Sequence, residues 1–201
     1  MAETLRAFIA VTPPPALQQA LEEVRAAFAW QASGWRWVAP ENVHLTLKFL
    51  GNVAKAQLPA VMQAMQRAAA GQAPFTLCAR ALGCFPSAAA PRVLWVGLED
   101  PQQRLLALLR RLEAELVALG FAAETRPFRP HLTLARIQRV TDRARWLAAV
   151  QAFRERKFGA FPVEALHLFQ SHLHPQGARY TVVHTVALPP AAAAGPRSAA
   201  G

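Results

Sequence analysis

Acidic side chains are scarce in this chain. Of 201 residues, 12 are Asp or Glu and 22 are Lys or Arg, a formal net charge of +10. That balance disfavours cationic partners and permits polyanionic ones: nucleic acid, phosphate esters or an acidic membrane surface. It permits them without demanding them. The basic residues are almost all Arg in a chain rich in Ala, Gly and Pro, a bias that GC-rich coding also produces. Cysteine is nearly absent. Cys78 and Cys84 are the whole supply, and their spacing fits no common zinc pattern and builds no disulfide framework. They read as two small apolar side chains.

Long apolar runs are missing as well. LLALL, Leu105 to Leu109, is bounded by Arg104 and by Arg110 and Arg111, so no membrane span is expected. The N-terminal MAETLRAFIAV has no basic region leading into a long apolar stretch, so no secretory signal is expected and a cytoplasmic location is. A Gly-rich phosphate loop, a Ser-centred nucleophile elbow and a His-Glu-x-x-His helix do not occur. What remains is a globular composition, 53% hydrophobic and 17% charged, in a chain long enough for one large domain or two small lobes sharing a core.

Strand and helix patterns alternate irregularly. LRAFIAV (5–11), VHLTLKFL (43–50), FTLCARAL, RVLWVGL, PHLTLARI (130–137), VEALHLFQSHL and RYTVVHTVAL read as strands, and WRWV before Pro40 as an extended segment. Leu17, Leu21, Val24 and Phe28 have helical spacing, with Thr12 before three prolines as the expected cap. Leu58, Val61, Met62 and Met65 mark a second helix. Leu105, Leu108, Leu109, Leu112, Leu116 and Leu119 form the clearest stripe, stopped at Gly120. A fourth helix is expected over about 141–153 with Leu147 and Val150 inward. A turn at Pro175-Gln176-Gly177 joins the last two strands, and the tail 189–201, PPAAAAGPRSAAG, reads as disordered. The mixture points to an α+β fold with antiparallel sheet, residues 1–188 forming a single domain with halves of about 1–100 and 101–188.

Each half contains the word HLTL, around His44 and around His131. On a strand, alternate side chains share a face, so His44 and Thr46 point together and so do His131 and Thr133. If the halves pack about an approximate two-fold axis, both pairs line one groove. Two imidazoles suit phosphodiester hydrolysis, one taking a proton from water and one giving a proton to the leaving oxygen, each role contributing about 10²–10⁴-fold. Two threonine hydroxyls suit the non-bridging phosphate oxygens. No metal or cofactor is required. Arg136 lies three residues beyond Thr133 and would face away on a regular strand, unless a strand end or bulge turned it back toward a phosphate. Phe49, three beyond Thr46, reads locally as core, or as a platform for a nucleobase. His172 and His174 share a strand face, but no nearby Cys, Asp or Glu completes a metal site.

The paired words in their contexts resemble the two-histidine phosphoesterases, within them the RNA 2′,3′-cyclic phosphodiesterases, also called 2′-5′ RNA ligases of the LigT type. RAFIAV, ENVHLTLKFLG, CFPSAAAPRVLWVGL, RPFRPHLTLARI and SHLHPQGARYTVV carry the likeness, over roughly residues 5–188. The resemblance implies a two-lobed α+β fold with a central groove and hydrolysis of RNA 2′,3′-cyclic phosphate ends to 2′-phosphates. It assigns His44 as proton donor and His131 as proton acceptor. Thr46, Thr133 and Arg136 would hold the phosphate, and Phe49 would stack on the terminal base. The expected partner is an RNA or oligonucleotide end, and the expected state a monomer. Three alternatives stand beside this reading: a 2′-5′ RNA ligase, a non-catalytic basic RNA-binding module with both HLTL strands in the core, and a metal hydrolase using His172 and His174.

Overall fold

The computed structural model describes residues 3–31, 33–172, 174 and 178–189. The expected turn at 175–177 and the tail beyond Pro189 lie outside the described residues. In chain order the elements are β1 (Thr4–Val11), α1 (Pro15–Ala27), β2 (Trp35–Trp37), β3 (Leu45–Ala54), α2 (Leu58–Ala69), β4 (Phe75–Phe85), β5 (Val93–Glu99), α3 (Arg104–Val117), β6 (His131–Ile137), α4 (Arg143–Ala152), β7 (Lys157–Val163), β8 (Ala165–His172) and β9 (Arg179–Ala187). Two antiparallel sheets result, one ordered β3-β1-β8-β9 and the other β2-β6-β5-β4-β7.

The two orders correspond position by position, β3-β1-β8-β9 to β6-β5-β4-β7, with β2 added at one edge. The sheets nevertheless exchange strands between the sequence halves. β8 and β9 complete the sheet begun by β1 and β3, while β4 joins the sheet of β5 and β6. Neither half of the chain can therefore pair all its strands without the other.

The leucine stripe of α3 lies where its spacing directs it. Leu105, Leu108, Leu112 and Leu116 are buried, and α3 packs on α2, whose Val61 and Met65 belong to the same buried core. Burying each such side chain is worth about 1.5–3 kcal/mol. Beyond α3, the Gly120 N–H donates to Val117 O and the Phe121 N–H to Leu116 O, with Gly120 at φ +89°, which a glycine adopts without strain.

Three expectations are corrected. Thr12 does not cap α1: the helix starts at Pro15 behind an extended Pro14, with no side-chain cap. Residues before proline avoid the helical region, so the chain stays extended until the last proline takes the first helical turn. In α4 the inward residue is Trp146, not Leu147, which is exposed. Trp146 packs against Phe28 and Trp35 and donates its indole N–H to Ala88 O, and Asp142 caps the helix by accepting from the Arg145 N–H. Strand β7, KFGAFPV, has no counterpart in the sequence reading because Gly159 and Pro162 mask it. β7 is an edge strand, the place in a sheet that tolerates a proline.

Candidate active site

Both HLTL words stand at the start of a strand, one in each sheet. Over His44–Leu50 and His131–Ile137 the sequence of half-buried, buried and exposed positions is the same. Leu45, Leu47, Leu132 and Leu134 enter the core, and His44, Thr46, His131 and Thr133 face one groove of about 320 Å³.

The two imidazoles are held in the same way. His44 Nδ1 lies 2.7 Å from the carbonyl oxygen of Asn42, and His131 Nδ1 lies 2.7 Å from that of Arg129. A carbonyl only accepts, so each Nδ1 carries a hydrogen and donates it. The atom left to gain or lose a proton is Nε2 in both rings. Their surroundings differ. His44 packs on Phe8 at 4.8 Å between ring centroids and meets Tyr180 edge-on at 5.2 Å. His131 meets Phe85 edge-on at 5.0 Å, with Trp95 at 6.2 Å. Burial holds the pKa of His44 below its ordinary value of 6.5. The bond to Asn42 opposes this, and the nearby charge of His131 adds to it.

The Arg136 question is answered by register. β5 pairs Trp95 with Thr133 but Leu94 with Ala135, so Leu134 is an extra residue on β6. This bulge makes Leu134 and Ala135 both buried and returns Arg136 to the face of Thr133. The same slip occurs in the other sheet. β1 pairs Ala10 with Thr46 and Ile9 with Lys48, leaving Leu47 as the extra residue. Phe49 is thereby turned into the groove and is 67% exposed, which corrects its local reading as core. Lys48 occupies the buried position that Ala135 holds in the other strand. Its ammonium donates to Glu113 at 2.8 Å and to Ala122 O at 2.6 Å.

All six expected site residues thus line one groove. So do Arg6, Asn42, Ser171 and Tyr180, which the sequence reading did not single out. Arg6 carried a signal, since alternation along β1 sets Arg6, Phe8 and Ala10 on one face. Tyr180 carried none until β9 was known to lie in the same sheet. Among the described residues no Asp or Glu lines the groove. His172 and His174 lie outside its lining; His172 Nε2 is 3.3 Å from the Thr181 hydroxyl. Among the described residues no group of three His, Cys, Asp or Glu could hold a metal ion, and no helix is long and apolar enough to cross a membrane.

The sequence pattern of LigT-like phosphoesterases matches the chain twice, over residues 11–95 and 96–180. The chain is 34% identical over 189 residues to the RNA 2′,3′-cyclic phosphodiesterase of Thermus thermophilus, covering 92% of this chain and 90% of that one. It is 31% identical over 177 residues to the protein of the same name from Methanothermobacter thermautotrophicus, covering 88% and 95%. Among solved structures, a Thermus thermophilus protein superposes with a TM-score of 0.76 at 33% identity over 91% of this chain and 97% of that one. E. coli LigT in complex with 3′-AMP gives a TM-score of 0.75 at 28% identity, over 92% and 99%.

Proposed function

The chain belongs to the family of LigT-like phosphoesterases, and from that premise we propose that it hydrolyses RNA 2′,3′-cyclic phosphate ends to 2′-phosphates by acid–base catalysis between two histidines. One observation carries this reading: two His-x-Thr pairs, from strands of different sheets, converge on a groove with no carboxylate among its described lining residues. Water attacks phosphorus opposite the 3′ oxygen. His131 Nε2 accepts the water proton as the new P–O bond forms. His44 Nε2 gives a proton to the 3′ oxygen as its bond to phosphorus breaks. The products are a 2′-phosphate and a 3′-hydroxyl, and exchange with solvent restores the two rings.

Thr46 and Thr133 donate to the non-bridging oxygens, and Arg136 balances their charge. Phe49 stacks on the terminal base. The lowered pKa of His44 by itself works against a protonated donor. A bound phosphate monoanion works the other way and favours the imidazolium where it is needed. A non-catalytic module with both HLTL strands in the core does not account for four polar side chains turned away from that core. We also propose a monomer, since one chain supplies both histidines, and a cytoplasmic location, which suits two free cysteines.

The test is an RNA ending in a 2′,3′-cyclic phosphate, incubated with the protein in excess EDTA. A 2′-phosphate product, reduced about 10²–10⁴-fold by His44→Ala and by His131→Ala, is the expected result. No turnover, or turnover indifferent to both substitutions, counts against the reading.

A further inference from the structure

Beyond the two His-x-Thr pairs the groove contains a second polar row. On β1 the groove face reads Ala10, Phe8, Arg6. Ala10 is level with Thr46, and Phe8 is level with Phe49 on one side and Phe169 on the other. Ala7 pairs with Gln170 and Ser171 pairs with Tyr180, so the antiparallel register sets Arg6, Ser171 and Tyr180 in one row across three strands. All three line the groove. Burial raises the pKa of the Tyr180 phenol, against the nearby charges of Arg136 and Arg6, so the hydroxyl keeps its hydrogen and can donate it. The ion pairs among the described residues include neither Arg6 nor Arg136. Two guanidiniums, with no carboxylate among the described lining residues, offer more positive charge than one phosphodiester needs.

The chemistry of a nucleotide indicates what the second guanidinium meets. On the ribose ring the cyclic phosphate spans C2′ and C3′, while the base at C1′ and the 5′ linkage at C4′ leave from the opposite side. With the cyclic phosphate between the histidines and the base on Phe49, the 5′ linkage leaves on the Phe49 side. Arg6 lies two residues beyond Phe8 on that side, about 6.6 Å along the strand. We propose that Arg6, with the Ser171 and Tyr180 hydroxyls, binds the phosphodiester on the 5′ side of the terminal nucleotide, so that the groove selects an RNA chain end over a lone cyclic nucleotide. This rests on the cyclic phosphodiesterase reading above.

The experiment compares kcat/KM on a nucleoside 2′,3′-cyclic phosphate with kcat/KM on a dinucleotide ending in the same cyclic phosphate, and on that dinucleotide with an uncharged methylphosphonate linkage. Wild type is expected to prefer the charged dinucleotide. Arg6→Ala loses about tenfold more on it than on the mononucleotide, and Arg6→Lys recovers part of that loss. The methylphosphonate substrate is insensitive to the difference between wild type and Arg6→Ala. An equal loss on mononucleotide and charged dinucleotide assigns Arg6 to the reacting phosphate and overturns the proposal, as does no loss on either. A wild type that turns over neither substrate overturns the phosphodiesterase reading itself, and this proposal with it.

Discussion

The segments His44–Phe49 and His131–Arg136 are built alike and equipped differently. Each has an imidazole whose Nδ1 is tied to the carbonyl two residues back, a threonine on the same face, two leucines in the core, and a one-residue bulge that returns the sixth residue to the groove. The fifth residue is a buried lysine in one and an alanine in the other. The sixth is an aromatic ring in one and a guanidinium in the other. The backbone device serves both segments, while the side chains it presents differ, an aromatic ring on one wall of the groove and a guanidinium on the other. Approximate symmetry supplies two imidazoles held alike, and departure from it makes the two walls of the groove unlike.

The largest effect should come from the part that is shared. His44→Ala and His131→Ala each remove about 10²–10⁴-fold in kcat, and the double variant loses less than the product of the two, because the histidines act as a unit. The check is single-turnover conversion of cyclic-phosphate RNA. The unlike sixth residues should separate next. Arg136→Ala lowers kcat/KM by about 10–150-fold, the value of a charge-assisted hydrogen bond, and Arg136→Lys restores only part. Phe49→Ala acts mainly on KM, by about 5-fold to 150-fold, and is largest for purine ends, which stack best. Kinetics on RNAs differing only in the last base measure both.

The fifth residues distinguish the segments through stability. Glu113→Ala leaves the Lys48 ammonium buried with one remaining carbonyl partner, at a cost on the order of 3 kcal/mol in denaturant unfolding. The segment around Ala135 has no such dependence. The smallest effect is a titration. His44 binds its proton below pH 6.5 because burial disfavours the charged ring and a charged His131 adds to this. His131→Gln removes the second cause and leaves the first. The His44 pKa should therefore rise in that variant while staying below 6.5, as read from its ring signals by NMR. A fall, or no change, would mean that the rings do not sense each other across the groove.

Much of this was legible in the residues themselves. HLTL with period two fixes which side chains go inward, and that rule held for all four leucines. The α3 stripe was readable for the same reason, since burial of one helical face repeats locally. Other features were hidden by neighbours in space. Trp146 took the core position that α4 spacing alone gave to Leu147, because Phe28 and Trp35 wait opposite. β7 was obscured by a glycine and a proline that only an edge position explains.

The sequence by itself determined the two His-x-Thr pairs, the strands that carry them and the excess of positive charge, because each depends on residues a few positions apart. Tertiary structure alone decided that β8 and β9 cross to the sheet of β1, which brings Tyr180 and Ser171 level with Arg6. It also decided that Leu47 and Leu134 are bulged, which turns Phe49 and Arg136 into the groove. Both are matters of register between strands distant in the chain. Register is set by which pairing buries the most apolar surface, a property of the assembled sheets and not of any one segment.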